Sequence, residues 1–225
     1  MLLSSQKRYS KKEYQTKNKY PKYIPFDENF IWYWDLYFET GLIQEKLSRR
    51  NKITLVLDLD ETLIHSNQIR LPGLNYDFTV SLKVKEAQTM FYVYKRPHVS
   101  EFLSQISKWF NIVIYTSSVQ EYADPIIDFL DPNGYIKDRL YRCNCEQMSR
   151  NWIKDLSCVT NNFKKCVLVD NSPLAFSRNW KNGIQIKTWF GNPLDRELVK
   201  LLTFLDALRS LKDVRHILEY RKDWN

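Results

Sequence analysis

Cysteine and histidine are scarce in this chain: four cysteines and three histidines in 225 residues. Cys143 and Cys145 have no second pair at zinc-binding spacing, so a structural zinc site is not expected. Long apolar runs are also missing. The first residues, Met-Leu-Leu-Ser-Ser-Gln-Lys-Arg, lack the sustained apolar core of a secretory leader. The aromatic stretch from Phe30 to Phe38 is interrupted by Asp35 and falls far short of the roughly 20 residues that span a bilayer. These gaps point to an intracellular, reducing setting, nucleus or cytoplasm, with no transmembrane segment. Acidic residues are the minority charge, 26 Asp and Glu against 34 Lys and Arg, for a net charge of +8. A basic surface attracts acidic partners: phosphoproteins, nucleic acid or anionic membrane.

What is present divides the chain into three parts. Residues 1–25 read as a basic, flexible tail, in which Pro21 and Pro25 interrupt any helix. Its basic residues, Lys7 to Lys22, are spread rather than clustered, which speaks against direct nucleic-acid binding. In residues 26–48, Phe30, Ile31, Trp34, Tyr37 and Phe38 recur at helical spacing. That pattern predicts an extra helix, packed on the main domain or exposed to a partner. Residues 49–225 form the domain proper.

The domain opens on Ile53 to Leu57, an apolar run rich in β-branched residues that reads as a buried strand. It ends in acid: Asp58-Leu59-Asp60-Glu61-Thr62. In α/β sheets the working groups sit just beyond the carboxyl ends of parallel strands. A spacing of two can turn the Asp58 and Asp60 carboxylates to one side. Carboxylates that close repel each other unless a cation lies between them or one stays protonated. Mg²⁺ is the usual cation where carboxylates meet a substrate phosphate. An acidic pair after a strand can equally be a helix N-cap, so later segments must decide.

Those segments alternate between strand and helix patterns. Tyr76 to Val84 alternates apolar and polar, Met90 to Tyr94 is rich in β formers, and Lys85 to Thr89 joins them, so a hairpin is expected within 67–95. Pro97 opens a helix running to about Phe110. A buried strand follows at Ile112 to Tyr115, then a helix from Val119 to Leu130 and a turn at Asp131-Pro132-Asn133-Gly134. Tyr135 to Arg142 is extended. Further strands are expected at Lys165 to Val169 and Ile184 to Lys187, a helix from Leu198 to Leu211, and a last helix opening at Asp213.

Asp58-Leu59-Asp60-Glu61-Thr62 with Leu63-Ile64-His65-Ser66 resembles the signature of the small C-terminal-domain phosphatases, aspartate-nucleophile enzymes of the haloacid dehalogenase superfamily. Three later motifs follow in the family's order: Thr116-Ser117-Ser118, Asn151-Trp152-Ile153-Lys154-Asp155-Leu156, and Asp170-Asn171-Ser172-Pro173. Lys95-Arg96-Pro97-His98, Tyr122-Ala123-Asp124-Pro125 and Asp195-Arg196-Glu197-Leu198 extend the likeness, which covers roughly residues 53–221. Four positions depart from the family pattern. Ser117 stands where the family has Ala, Arg150 and Asn151 where it usually has Gly, and Thr203 where it tends to have Pro.

The resemblance implies an α/β fold, a haloacid dehalogenase-like Rossmannoid parallel sheet flanked by helices, with a small β-hairpin insertion after the first strand. It implies a Mg²⁺-dependent phosphoserine or phosphothreonine phosphatase with Asp58 as nucleophile and Asp60 as acid and base. Asp58, Asp170 and Asp60, the last through its main-chain carbonyl, would hold Mg²⁺. Thr62, Thr116, Ser117, Lys154 and Asn171 would hold phosphate, and Arg142 the flanks of the substrate. The implied partner is a phosphoprotein, with the RNA polymerase II C-terminal domain one such substrate. Leu82, Val84, Phe91 and Val119 would form an apolar patch beside the cleft that suits a proline next to the phosphate. The same four side chains could instead be the hairpin's own small core. Two other functions stay open: a non-catalytic binding module, as in related mitochondrial import translocase subunits, and a phosphatase for small molecules or lipid head groups.

Overall fold

Short β-branched runs dominate the interior of this domain because each is buried on both faces. The structure is a computed structural model and describes residues 52–84 and 87–219. The expectations for residues 1–25 and 26–48 lie outside the described residues. The central sheet has five parallel strands in the order β10-β9-β1-β5-β6. They are β1 (Thr54–Leu57), β5 (Asn111–Tyr115), β6 (Ile136–Leu140), β9 (Cys166–Asp170) and β10 (Gly183–Gln185). Strand alternation sends Leu55, Leu57, Ile112, Ile114, Val167 and Val169 into the larger core. Val56, Val113, Tyr115, Cys166 and Leu168 enter a smaller core on the opposite face, with Leu156 and Phe176. Helices α1 (Val99–Trp109), α2 (Gln120–Leu130) and α3 (Glu197–Leu208) supply much of the larger core through residues such as Phe102, Ile126 and Phe204, and α1 packs on α3. A short α4 (Arg215–Leu218) is the last described element, and no described helix is long and apolar enough to cross a membrane.

The expected insertion is a three-stranded antiparallel sheet of order β2-β4-β3. Besides the hairpin of β3 (Phe78–Val84) and β4 (Ala87–Lys95), it recruits β2 (Ile64–Asn67), which directly follows the acidic motif. Its inner face lies on α2, with Phe78 stacked on Phe129 at 4.6 Å and Phe91 edge-on to Tyr122 at 5.5 Å.

Several element boundaries differ from expectation. The hairpin turn is shorter, because Ala87, Gln88 and Thr89 pair with Val84, Lys83 and Leu82. Helix α3 stops at Leu208, β10 ends at Gln185, and α4 is a single turn. A small hairpin of β7 (Glu146–Met148) and β8 (Asn151–Ile153) was not expected. Its turn places Ser149 at φ 56°, so a serine takes the left-handed conformation that glycine adopts more cheaply. The family's glycine is missing from this turn, and the backbone is held by strand pairing instead.

Candidate active site

Strand register brings the acidic groups together. Leu57 at the end of β1 pairs with Ile114 on one side and Val169 on the other. Asp58 and Asp170, one residue further on, and Thr116, two residues past Ile114, therefore crowd one end of the sheet. The backbone extends the pairing by one step, with Asp58 N–H donating to the Val169 carbonyl and Thr116 N–H to the Leu140 carbonyl, both at 2.9 Å. Lys154 arrives from the far end of β8, and its backbone N–H is fastened to the Ala175 carbonyl at 2.8 Å. Asp155 then caps the following 3₁₀ turn by accepting from Ser157 N–H at 2.9 Å.

These side chains form a buried trio. Lys154 Nζ donates to Asp58 Oδ1 and to Asp170 Oδ2, each at 2.6 Å. The second oxygen of Asp58 accepts from Thr62 Oγ1 at 2.8 Å, and that of Asp170 from Ser172 N–H at 2.8 Å. Asp58 is 5% exposed, and Lys154 and Asp170 are each 2%. Burial disfavours the Lys154 ammonium, but Asp170 and Asp58 outweigh it and raise its pKa above the ordinary lysine range. Asp170 is pushed up to about 6, first by burial and then by Asp58, against the pull of Lys154 and Ser172. Two carboxylates share one ammonium, so the trio retains an excess of negative charge.

Asp60 lies beside the trio with different company. Its Oδ1 accepts from Tyr122 Oη at 2.6 Å and its Oδ2 from Ser118 Oγ at 2.8 Å, while Ser66 Oγ and Tyr122 Oη share a hydrogen bond at 2.5 Å. Asp60 is ringed by protein but keeps some surface open to the cleft. Burial raises its pKa to about 6, with Asp58 and Glu61 adding to the rise and the Tyr122 and Ser118 bonds opposing it. A carboxyl poised there can give a proton or take one near neutral pH.

The remaining expected residues surround this centre. Thr62 is buried and its hydroxyl is given to Asp58. Thr116 is also buried, and its oxygen accepts from Ser118 N–H at 3.0 Å, shaping the loop that precedes α2. The Ser117 carbonyl accepts from Arg142 Nε at 2.6 Å, and the Ser118 carbonyl from Arg142 N–H at 2.9 Å. The exposed Arg142 guanidinium stacks over Trp152 at 5.4 Å, so it is braced beside the loop. Asn171 makes one long contact, from its amide to Thr188 Oγ1 at 3.4 Å. Leu82, Phe91 and Val119 are half-buried and packed against the main core, while the side chain of Val84 lies outside the described residues. Tyr122 and Ser66 were visible only as members of family strings. No local pattern says that Oη of Tyr122 reaches 62 residues back to Asp60.

Asp58 and Asp170 offer hard oxygen donors, and the main-chain carbonyl of Asp60 lies two residues past Asp58 in the chain. Among the described residues no group of three or more His, Cys, Asp or Glu could hold a metal by itself. That donor set fits Mg²⁺, which binds through one or two carboxylates and completes its shell with water and substrate phosphate. The surplus negative charge of the trio fits a cation as well.

A parallel sheet flanked by helices, a β insertion after the first strand, and paired carboxylates bridged by a lysine define a haloacid dehalogenase-like protein. The model of the NLI interacting factor-like phosphatases matches residues 53–215. The chain belongs to that family. It is 39% identical over 193 residues to a CTD nuclear envelope phosphatase 1 homolog of Drosophila melanogaster, covering 82% of this chain and 79% of that one. It is 41% identical over 182 residues to the CTD nuclear envelope phosphatase 1 of Xenopus tropicalis, covering 78% and 75%. Among solved structures it resembles the fission yeast RNA polymerase II CTD phosphatase Fcp1 bound to beryllium fluoride, with TM-score 0.52 and 20% identity. That match covers 82% of this chain but spans only 57% of the other, and it speaks for the fold alone.

Proposed function

We propose that this chain is a Mg²⁺-dependent phosphoserine or phosphothreonine protein phosphatase that works through an aspartyl phosphate on Asp58. The observation that carries the reading is the Lys154 bridge between Asp58 and Asp170, with Asp60 alongside on hydroxyl partners. Lys154 lies against the Asp58 carboxylate and offsets charge beside the nucleophile. In the first step an Asp58 oxygen bonds to phosphorus as the bond to the seryl or threonyl oxygen breaks. Asp60 gives that leaving alkoxide its proton. In the second step Asp60 takes a proton from water as the water oxygen attacks phosphorus, freeing phosphate and regenerating Asp58. Lys154, the Thr116–Ser118 loop and Asn171 would hold phosphate oxygens, with Arg142 at the flanks of the substrate. Mg²⁺ held by Asp58, Asp170 and the Asp60 carbonyl would offset charge on the phosphoryl group.

A net charge of +8 suits an acidic phosphopeptide. The relatives named as CTD phosphatases support a protein substrate, and the RNA polymerase II C-terminal domain is one of the right chemistry. Half-buried Leu82, Phe91 and Val119 support a preference for proline beside the phosphate. The nuclear-envelope names of those relatives support an intracellular setting, nucleus or cytoplasm.

The test is Asp58→Asn, which removes the nucleophile with little change in volume. Turnover of both an aryl phosphate and a phosphoserine peptide should vanish while the fold persists, and chelating Mg²⁺ from the unaltered protein should do the same. Turnover near the original rate in either experiment would sink the mechanism. Hydrolysis of lipid head groups but of no phosphopeptide would leave the chemistry and remove the protein substrate.

A further inference from the structure

Two motifs have no part in the chemistry above: Lys95-Arg96-Pro97-His98 and Asp195-Arg196-Glu197-Leu198. In the fold they meet. Arg96, 1% exposed, donates from Nε to Asp195 Oδ1 at 2.8 Å and from Nη2 to Asp195 Oδ2 at 3.0 Å. Its fork also reaches two backbone carbonyls, Thr62 O from Nη1 at 3.0 Å and Lys187 O from Nη2 at 2.8 Å. A buried ion pair is weak evidence for stability, since apolar residues of similar volume often serve as well or better. An apolar pair could not hold those two carbonyls.

The Thr62 carbonyl belongs to the turn that carries the nucleophile. Thr62 itself holds Asp58 Oδ2 through its hydroxyl. The residue before it, Glu61, sits at φ 58°, a conformation that a non-glycine residue keeps only when its surroundings impose it. The turn is tied down from outside: Arg96 N–H donates to the Leu63 carbonyl and Trp189 N–H to the Glu61 carbonyl, both at 3.0 Å. Asp195 is anchored in turn, because its Oδ1 also accepts from Glu197 N–H at the start of α3 at 3.1 Å.

We propose that Arg96, locked by Asp195, is a positioning residue for Asp58: it fixes the Thr62 carbonyl and so keeps the Thr62 hydroxyl on the nucleophile. The proposal rests on Asp58 being the nucleophile. Small misplacements of reacting groups cost much more in rate than in binding.

The experiment replaces both partners at once, Arg96→Met with Asp195→Leu, so that neither charge is left buried alone. Turnover of an aryl phosphate is normalised to the folded fraction seen by circular dichroism. kcat should fall by about 10- to 100-fold while KM moves less than about twofold. Adding Thr62→Val should cost no more than the larger of the two losses, because both changes act through one contact. Arg96→Lys, which keeps the charge without the fork, should also lose kcat, and it carries the same cycle with Thr62→Val if the apolar pair does not fold. An unchanged kcat per folded molecule, losses that multiply, or full activity in Arg96→Lys would each overturn the proposal. If instead Asp58→Asn turned over normally, the nucleophile assignment would fall first, and the Arg96–Thr62 cycle could still be read.

Discussion

Replacing Lys154 by methionine tests the charge balance of the site through stability rather than through turnover. Methionine nearly matches lysine in length and carries no charge. In Lys154→Met, Asp58 and Asp170 would face each other without the ammonium from which each accepts at 2.6 Å. Removing one partner of a buried ionic cluster costs about 3–5 kcal/mol. At about 2–4 °C per kcal/mol for a domain of this size, the melting temperature near neutral pH should drop by roughly 6–20 °C. The sign of the pH dependence follows from Asp170, whose folded pKa is already raised to about 6 with Lys154 in place. A carboxyl whose folded pKa lies above its unfolded value, about 3.9, contributes fully below that unfolded value and loses the contribution as pH rises through the folded one. Without Lys154 the folded pKa climbs further. The gap between original and variant should therefore be widest around neutrality and shrink toward pH of about 4. Thermal melts at about pH 7.5 and about pH 4.5 measure it, and added Mg²⁺ should restore part of the loss at the higher pH. A gap below about 2 °C at neutral pH, or a gap equal at both pH values, would refute the charge argument.

Two further changes separate acid–base chemistry from substrate contacts. The Tyr122 bond favours the ionised form of Asp60, so Tyr122→Phe should raise the Asp60 pKa above its present value of about 6. With Asp60 acting as the acid, kcat/KM falls as pH rises through that pKa. The alkaline limb of an aryl phosphate pH–rate profile should then move to higher pH, and a limb that stays put or moves down speaks against Asp60 as the acid. Leu82→Asp should raise KM for a phosphoserine–proline peptide and leave aryl phosphate hydrolysis nearly unchanged. If both activities fall together, Leu82 is core and not pocket.

Much of the central sheet was legible because burial on both faces demands a recognisable composition. Thr54–Leu57, Asn111–Tyr115 and Cys166–Asp170 are short, apolar and rich in β-branched residues, and each ends in or next to a polar residue of the site. The β7–β8 hairpin was hidden for the opposite reason. Glu146, Gln147 and Met148 are all exposed, so no alternation marks β7, and the turn carries a left-handed serine instead of a glycine. Asp58, Lys154 and Asp170 could be named because each lies in its own short motif. Their bridge could not be seen, since Lys154 reaches Asp58 across 96 residues from the end of β8, fastened to the Ala175 carbonyl, while strand register aligns only Asp58 with Asp170. The Arg96–Asp195 pair spans 99 residues and was hidden in the same way. Sequence motifs identify groups that do chemistry. The groups that hold them in place are scattered wherever the fold has a donor to spare.

The same distinction separates the partners of two aspartates two residues apart. Asp58 and Asp170 share an ammonium and Asp170 adds a backbone N–H, donors that cannot turn round and accept, while the other oxygen of Asp58 takes the Thr62 hydroxyl. The ammonium and the N–H oppose the rise that burial and Asp58 impose on Asp170. Asp60 has only side-chain hydroxyls, Ser118 and Tyr122, with Ser66 behind Tyr122. A hydroxyl donates to a carboxylate and, after rotation, accepts from a carboxylic acid. As donors to the carboxylate these hydroxyls oppose protonation, yet burial outweighs them and lifts the Asp60 pKa to about 6. On the proposed reaction, the nucleophile has an ammonium on one oxygen and a hydroxyl on the other, and the group that must gain and lose a proton has hydroxyls on both, which can follow the proton by turning round.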